Sequence, residues 1–213
     1  MGLPEAERPT EATATAQEDK RRLILSAAVR VFAEKGYHAA RVSDIGVEAG
    51  VAYGLLYHYF GSKEEVLDAV FRETWRMMLE TVRSVEEAGD SAREQLRKVA
   101  AVVLRSWKRT PDLIRVLVTE VTRSAYIGRE RGEIDNAFAA LERIVRRGQE
   151  DGEFRADLEP RLAAWILYGA LDEFLTGWVL GQLPDGDEDV EEAIRTVVEI
   201  VGGGLAAERM RVG

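Results

Sequence analysis

Between Val42 and Leu67 the chain starts and stops helices within a few residues of one another: V-S-D-I-G-V-E-A-G-V-A-Y-G-L-L-Y-H-Y-F-G-S-K-E-E-V-L. Ser43 is a candidate N-cap, because its hydroxyl can accept an orphan amide proton of a first turn. Ile45 and Ala49 lie four residues apart and so share one helical face. Gly50 stops that helix, since glycine tolerates the left-handed conformation of a C-terminal turn. Val51 anchors the turn, and Leu56 and Phe60 form the inner face of a second short helix. Gly61 ends it. Ser62-x-x-Glu65 is a capping-box pattern that opens a third. Two short helices around a glycine turn, the second small and aromatic-rich, suit a helix-turn-helix, whose second helix lies in a DNA major groove.

The rest of the chain is helical in pattern. Residues 1–18 are mostly Ala, Thr, Glu and Pro and are expected to be a disordered tail. From Asp19, the residues Ile24, Ala27, Ala28, Val31 and Phe32 form one stripe, ended by Gly36. A long helix from Lys63 carries Val66, Leu67, Val70, Phe71 and Met78. Further helices are expected over 91–107, from Pro111 to about Tyr126, over 133–151, over 162–180 with Asp157 as cap, and over 187–209. The 162–180 stretch is apolar on more than one face, which predicts burial all round. No stretch alternates at the strand period. The expected fold is all-α: a three-helix helix-turn-helix head, residues 19–66, joined to a body of about six helices, residues 67–213.

The 213 residues are 46% hydrophobic, enough for a packed core. Absence of cysteine excludes disulfides and thiolate metal sites. No apolar run approaches the ~20 residues of a membrane span, and the N-terminus lacks the order of a signal peptide. The expected location is the cytoplasm, with no membrane partner. Net charge is −9, which by itself argues against nucleic acid. Lys20 to Glu64, however, holds seven Lys/Arg against four acids, a +3 segment that leaves −12 for the remainder. A basic head on an acidic body orients a protein on a polyanion.

The run A-G-V-x-x-G-x-L-Y-x-Y-F-x-S-K-E-x-x-L resembles the signature of TetR-family transcriptional regulators. Ile24, Ala27, Ala28, Phe32, Gly36, Tyr37 and Val42 extend the resemblance upstream. It implies duplex DNA as partner, at a palindromic operator. Ser43, Tyr53, Gly54, Leu55, Tyr57, His58, Tyr59 and Lys63 are the candidate DNA-binding residues. Tyr53, Gly54 and Leu55 sit where such helices reach base edges. Gly54 lets the backbone approach closely, and Leu55 suits a thymine methyl. Tyr57, Tyr59 and Lys63 can donate to phosphates, which fixes register rather than sequence. The resemblance carries the phosphate role to Tyr57 and Lys63 and base contact to Tyr53 and His58. Two departures stand out. Gly46 replaces the usual Ala, at a cost of roughly 1 kcal/mol of helix stability. Ala52 replaces the common Ser or Thr, so the recognition helix lacks a side-chain cap.

In the body, Trp107, Tyr126, Trp165, Tyr168, Phe174 and Trp178 are either core or the wall of an apolar pocket. Asp172 interrupts the most apolar helix. It is either a polar contact in a cavity or dimer seam, or a solvent-facing edge. Trp107, Arg123, Tyr126, Trp165, Tyr168 and Asp172 are the candidate ligand-binding residues. The segment from Gln149, Q-E-D-G-E-F-R-A-D-L-E-P-R-L-A-A-W-I-L-Y-G-A-L-D-E-F-L-T-G-W-V, is similar to that of TetR-type fatty-acid-degradation repressors of the FadR-like group. That similarity implies release from the operator by a long-chain acyl-CoA. Arg105, Lys108, Arg109, Arg123, Arg129 and Arg131 would meet its phosphorylated head group, or else form a solvated, salt-bridged surface. The alternative is a repressor answering another apolar small molecule, such as a drug or efflux regulator; a third reading has no ligand. The last two helices are expected to pair two copies into a homodimer. Gly202-Gly203-Gly204 either breaks the last helix or allows close packing. His38 and His58 are poor metal ligands. No catalytic constellation, metal or cofactor is expected.

Overall fold

The computed structural model describes residues 11–121 and 131–206. The chain divides into two compact units, Met1–Val70 and Phe71–Gly213. Among the described residues there are nine α-helices, one π-helical turn and no strand beyond a single bridge between Phe154 and Ala206.

The first unit, the head, contains α1 (Glu11–Lys35), α2 (Val42–Ala49), α3 (Tyr53–Tyr59) and the beginning of α4 (Lys63–Glu87). Ile24, Ala27, Ala28, Val31 and Phe32 of α1 are buried with Ile45, Ala49, Leu56, Phe60 and Val66, the stripes expected from spacing. The α2–α3 turn closes as a Schellman motif. Gly50 takes φ 63°, and the Val51 amide donates to Gly46 O at 3.0 Å. Helix α1 begins at Glu11, so residues 11–18, expected to be disordered, are helical. The alanines there favour helix, and Glu18 pairs with Arg21 and Arg22 one turn on. Ser43 is not a cap: it is exposed at the second position of α2. The Arg41 amide instead donates to Asp44 Oδ2 at 2.9 Å. That bond, then Lys35, holds the Asp44 carboxyl below its usual range.

The second unit, the body, runs from the rest of α4 through α5 (Ala92–Arg109), α6 (Pro111–Val116), a π-helical turn (Leu117–Val121), α7 (Arg131–Glu150), α8 (Pro160–Val179) and α9 (Asp187–Leu205). Helix α5 packs on α7, α8 and α9 around Leu104, Ile144, Leu167 and Val190. Gln95, at 0% exposure, is the one buried polar side chain among the described residues. Its amide donates to Glu86 O at 3.2 Å, and its carbonyl accepts from Arg147 at 2.5 Å. Arg143 grips the Glu86 carboxylate with two bonds, at 2.8 and 2.9 Å. Glu153 accepts from the Ala92 and Arg93 amides at 2.8 and 2.9 Å, capping α5 from the turn that follows α7.

Three expectations for the body change. Asp157 does not cap α8. It pairs with Arg155, and Glu159 accepts from the Arg161 amide instead, just ahead of Pro160. The helix expected to run from Pro111 to Tyr126 is α-helical only to Val116, then widens to a π turn, a form that recurs at functional sites. Helix α8 is not buried all round. Leu162, Trp165 and Ile166 are 62%, 51% and 64% exposed among the described residues, although one face of Trp165 lies on Phe138 of α7. The three glycines of α9 do not break it: the helix runs on to Leu205, with Gly202 buried against the Arg93 side chain.

Candidate functional site

Helix α3 presents its exposed side through Tyr53, Gly54, Tyr57 and His58, while Leu56 and Phe60 are buried beneath it. Leu55 and Tyr59 are half-buried at its flanks. No side chain caps the helix, since its N-cap is Ala52. The Tyr53 and Tyr57 hydroxyls lie 3.0 Å apart, with ring centroids 4.8 Å apart edge to face. This bond raises the Tyr57 hydroxyl pKa above its usual value. The pair therefore stands as one unit with two hydroxyl groups facing solvent, suited to phosphate or base-edge acceptors. Gly54 has a helical backbone, and a Cβ added there would meet no atom within 4 Å. Nothing inside the protein requires a glycine at that position; a surface approaching from outside would.

Lys63 points into the head. Its ammonium donates to the carbonyls of Tyr37 (2.7 Å), Ala40 (3.0 Å) and His38 (3.4 Å). It also lies 4.4 Å from the centre of the Tyr37 ring. Glu64 beside it is held below the usual carboxylate range, by its own backbone amide first and then by the Tyr37 hydroxyl. Half of the expected capping box ahead of α4 forms: Ser62 Oγ accepts from the Glu65 amide at 3.1 Å, while the Glu65 carboxylate accepts from the Gly61 amide, one residue before Ser62, at 2.9 Å.

In the body, Trp165 stacks on Phe138 at 4.4 Å and 17°, Phe138 tilts against Tyr168 at 4.9 Å, and Tyr168 stacks on Trp75 at 6.5 Å. Asp172 lies one turn beyond Tyr168. Burial first, and the Asp172 charge second, push the Tyr168 hydroxyl up to about 12. Burial, then Glu173, raises Asp172 itself. Three of the expected ligand residues, Trp165, Tyr168 and Asp172, are thus brought together on α8, and Trp75 and Phe138 complete the cluster. Trp107 is elsewhere. Its indole donates to Asp185 at 2.9 Å and its ring stacks on Trp178, pinning the loop before α9. Arg105 is engaged by Glu191 at 2.6 and 2.8 Å, and Lys108 by the Asp185 carbonyl at 3.0 Å and Asp187 at 3.3 Å, so these two form the solvated surface. Arg123, Tyr126 and Arg129 lie outside the described residues, as does the side chain of Arg131. A surface depression of about 620 Å³ on α9 is lined by Asp187, Glu188, Glu191, Glu192 and Arg195. Its acidic lining opposes any phosphate-bearing ligand.

Residues 24–70 match the family described as bacterial regulatory proteins, tetR family, and residues 71–200 match the YsiA-like protein, C-terminal region. A fatty acid metabolism regulator protein of Bacillus subtilis (strain 168) is 32% identical over 85% of this chain and 93% of its own length. The chain belongs to the TetR family. This TetR-family regulator superposes on the fatty acid degradation regulator FadR of Bacillus halodurans with a TM-score of 0.76 and 32% identity, over 86% of this chain and 98% of that one. FadR of Bacillus subtilis, solved with stearoyl-CoA, matches at TM-score 0.77 and 29% identity over the same shares.

Sequence reading passed over two features of this TetR-family chain. Trp75 and Phe138 carried no local signal, because their helices meet α8 only in the folded body. The Lys63 cradle did carry one: a lysine at the first position of a helix faces the positive end of the helix dipole and needs a negative partner.

Proposed function

We propose that the chain is a repressor that binds a palindromic operator as a homodimer and releases it when a long-chain acyl-CoA occupies the body. One observation carries this reading: the body is similar over residues 71–200 to the YsiA-like region, and a solved relative at 29% identity holds stearoyl-CoA. The exposed face of α3 supplies the DNA contacts, with Tyr53, Gly54 and His58 at base edges and Tyr57 and Tyr59 at phosphates. Ser43 and Leu55 flank them. Trp165, Tyr168 and Asp172, with Phe138 and Trp75, wall the effector site; the aromatic rings suit an acyl chain. Two copies pair through the uncovered apolar side of α8, with Leu162 and Ile166, and through Ile200 of α9, 69% exposed. The chain acts by binding, in the cytoplasm. No described helix is long and apolar enough to cross a membrane.

Ligand and DNA need not touch. The effector must favour a conformation whose two heads are mis-spaced for successive major grooves, and the coupling is then reciprocal. Helix α4 is the natural lever, since it begins in one unit and ends in the other. The operator complex is titrated with acyl-CoAs of increasing chain length. The expected result is release by long chains and none by free CoA, with a coupling of roughly 1–3 kcal/mol. If every chain length leaves the complex intact while an unrelated apolar compound dissociates it, the effector is another small molecule.

A further inference from the structure

We propose that Glu86 is a positioning residue: held by Arg143, Arg147 and Gln95, it fixes the last turn of α4 in the body and is the fulcrum about which an effector tilts that helix. This rests on the reading that an acyl-CoA bound in the body weakens DNA binding, and it assigns the residues through which that coupling runs. Glu86 lies in the last turn of α4, where a helix leaves its carbonyls without an internal partner. The Gln95 amide donates to the Glu86 carbonyl at 3.2 Å, and two nitrogens of Arg147 donate to it at 3.4 Å. Arg147 also donates to the Gln95 carbonyl, so the fully buried Gln95 amide meets a partner at each end. The Glu86 carboxylate, 19% exposed, receives two bonds from Arg143, which hold its pKa below the usual range. Arg143 and Arg147 lie one turn apart on α7 and place positive charge at the negative end of the α4 dipole.

Bonds of this kind have a preferred geometry, and they fix one end of the helix. Before Glu86, α4 meets the core of the body through Trp75, Met78, Leu79, Val82 and Val85. Those apolar contacts have no preferred direction, and a helix can slide across them. Trp75 reaches the aromatic cluster through Tyr168. It stands 11 residues before Glu86, and Lys63 stands 23 before it. At the rise of an α-helix those are arms of about 16 and 35 Å. A rigid α4 pivoting at Glu86 therefore roughly doubles, at its first turn, a displacement that a ligand applies at Trp75. With the last turn free, the same push would be absorbed there and the gain lost.

The quantity to measure is the coupling: the ratio of duplex affinities without and with saturating stearoyl-CoA, on a duplex enriched by the wild type from a random pool. For wild type it is expected at roughly five- to 150-fold. Glu86→Met leaves the backbone carbonyl with its donors, so Gln95 and Arg147 keep their partners. Its ligand-free duplex affinity and its stearoyl-CoA affinity, read by tryptophan fluorescence, should change little, while the coupling falls towards none. Arg105→Met is the control. It cuts an equally bidentate pair, with Glu191, that does not involve α4, and its coupling should stay at the wild-type ratio. An equal loss of coupling in Arg105→Met marks general loosening and overturns the proposal. A second measurement keeps Glu86 intact. The chain has no cysteine, so pairs of spin labels can be placed through Arg76→Cys, Glu87→Cys and Gln182→Cys, all at exposed positions. Excess unlabelled chain dilutes distances between copies. On adding stearoyl-CoA, the distance from position 182 to 76 should shift and that from 182 to 87 stay constant. Equal shifts, or none at 76, sink the fulcrum. A wild type that stearoyl-CoA does not release sinks the effector reading and this proposal together; release of Glu86→Met to the same extent as wild type sinks this proposal alone.

Discussion

The head and the body both have to satisfy helix ends and buried polar groups, but they find partners at different distances along the chain. In the head most partners are local. The Arg41 amide meets Asp44 three residues on, and Gly61 meets Glu65 four on. The Lys63 bonds and the Arg30–Glu48 pair, 18 residues apart, are the long exceptions. The body has local pairs too, such as Arg97 with Glu94, but its buried polar groups and the start of α5 find remote partners: Arg147 and Gln95 are 52 residues apart, Ala92 and Glu153 61, Trp107 and Asp185 78. A locally specified head can keep its shape while the body that carries it changes ligand. A body knitted by distant contacts responds as a whole, which suits an element that must convert occupancy into a change of conformation.

The sharpest test of this contrast puts one substitution into both regions. A Cβ on Gly148 would lie 2.7 Å from Ala92 Cβ and closer still to Cδ2 of the Phe154 ring, where α5, α7 and the following loop converge. Gly148→Ala should therefore overpack the body and cost about 1–3 kcal/mol. All four tryptophans lie in the body, so their fluorescence in a urea titration reports this loss. A Cβ on Gly46 meets Val51 O at 3.6 Å and Leu56 Cδ1 at 3.9 Å, ordinary contact distances. Gly46→Ala should then stabilise the head by roughly 0.5–1 kcal/mol, read by amide exchange of α2. If both substitutions move stability the same way, the contrast between a head with room and a tightly knitted body fails.

The smallest expected effect concerns Asp172. Burial, then Glu173, raises its carboxyl pKa above the unfolded value of about 3.9. The folded state therefore holds this proton more tightly than the unfolded state does. Stability is greatest below the unfolded value and is lost as pH rises through the folded one. Asp172→Asn removes the ionisation. Its melting temperature should exceed that of the wild type at neutral pH, and the difference should close toward pH 4. A variant less stable than wild type at neutral pH would show that the carboxylate has a stabilising partner.

Much of the head was legible because its signals act over one or two turns. Gly50 ending α2, Ser62 and Glu65 opening α4, and the uncapped Ala52 all appear where spacing places them. Ser43 misled because α2 begins one residue earlier, at Val42: Arg41 O already accepts from the Asp44 and Ile45 amides, and Asp44 reaches back to the Arg41 amide with a charged oxygen. The start of α1 was misplaced because alanine-rich sequence without large apolar residues supports a solvated helix as readily as a coil. Of the six expected ligand residues, Trp165, Tyr168 and Asp172 meet because they recur on one helix face, whereas Trp107 turned out to anchor a loop.

The sequence by itself determined the helical class and the N-terminal helix-turn-helix, because helical periodicity, capping and glycine turns depend on neighbours within four residues. It also determined that α8 carries more apolar surface than one contact face needs. Only the tertiary structure decided which of that surface stays uncovered, which aromatic rings meet, and that the Lys63 ammonium turns inward. Those outcomes depend on which helices approach which, and a side chain's partners across 20 or more residues leave no periodic trace along the chain.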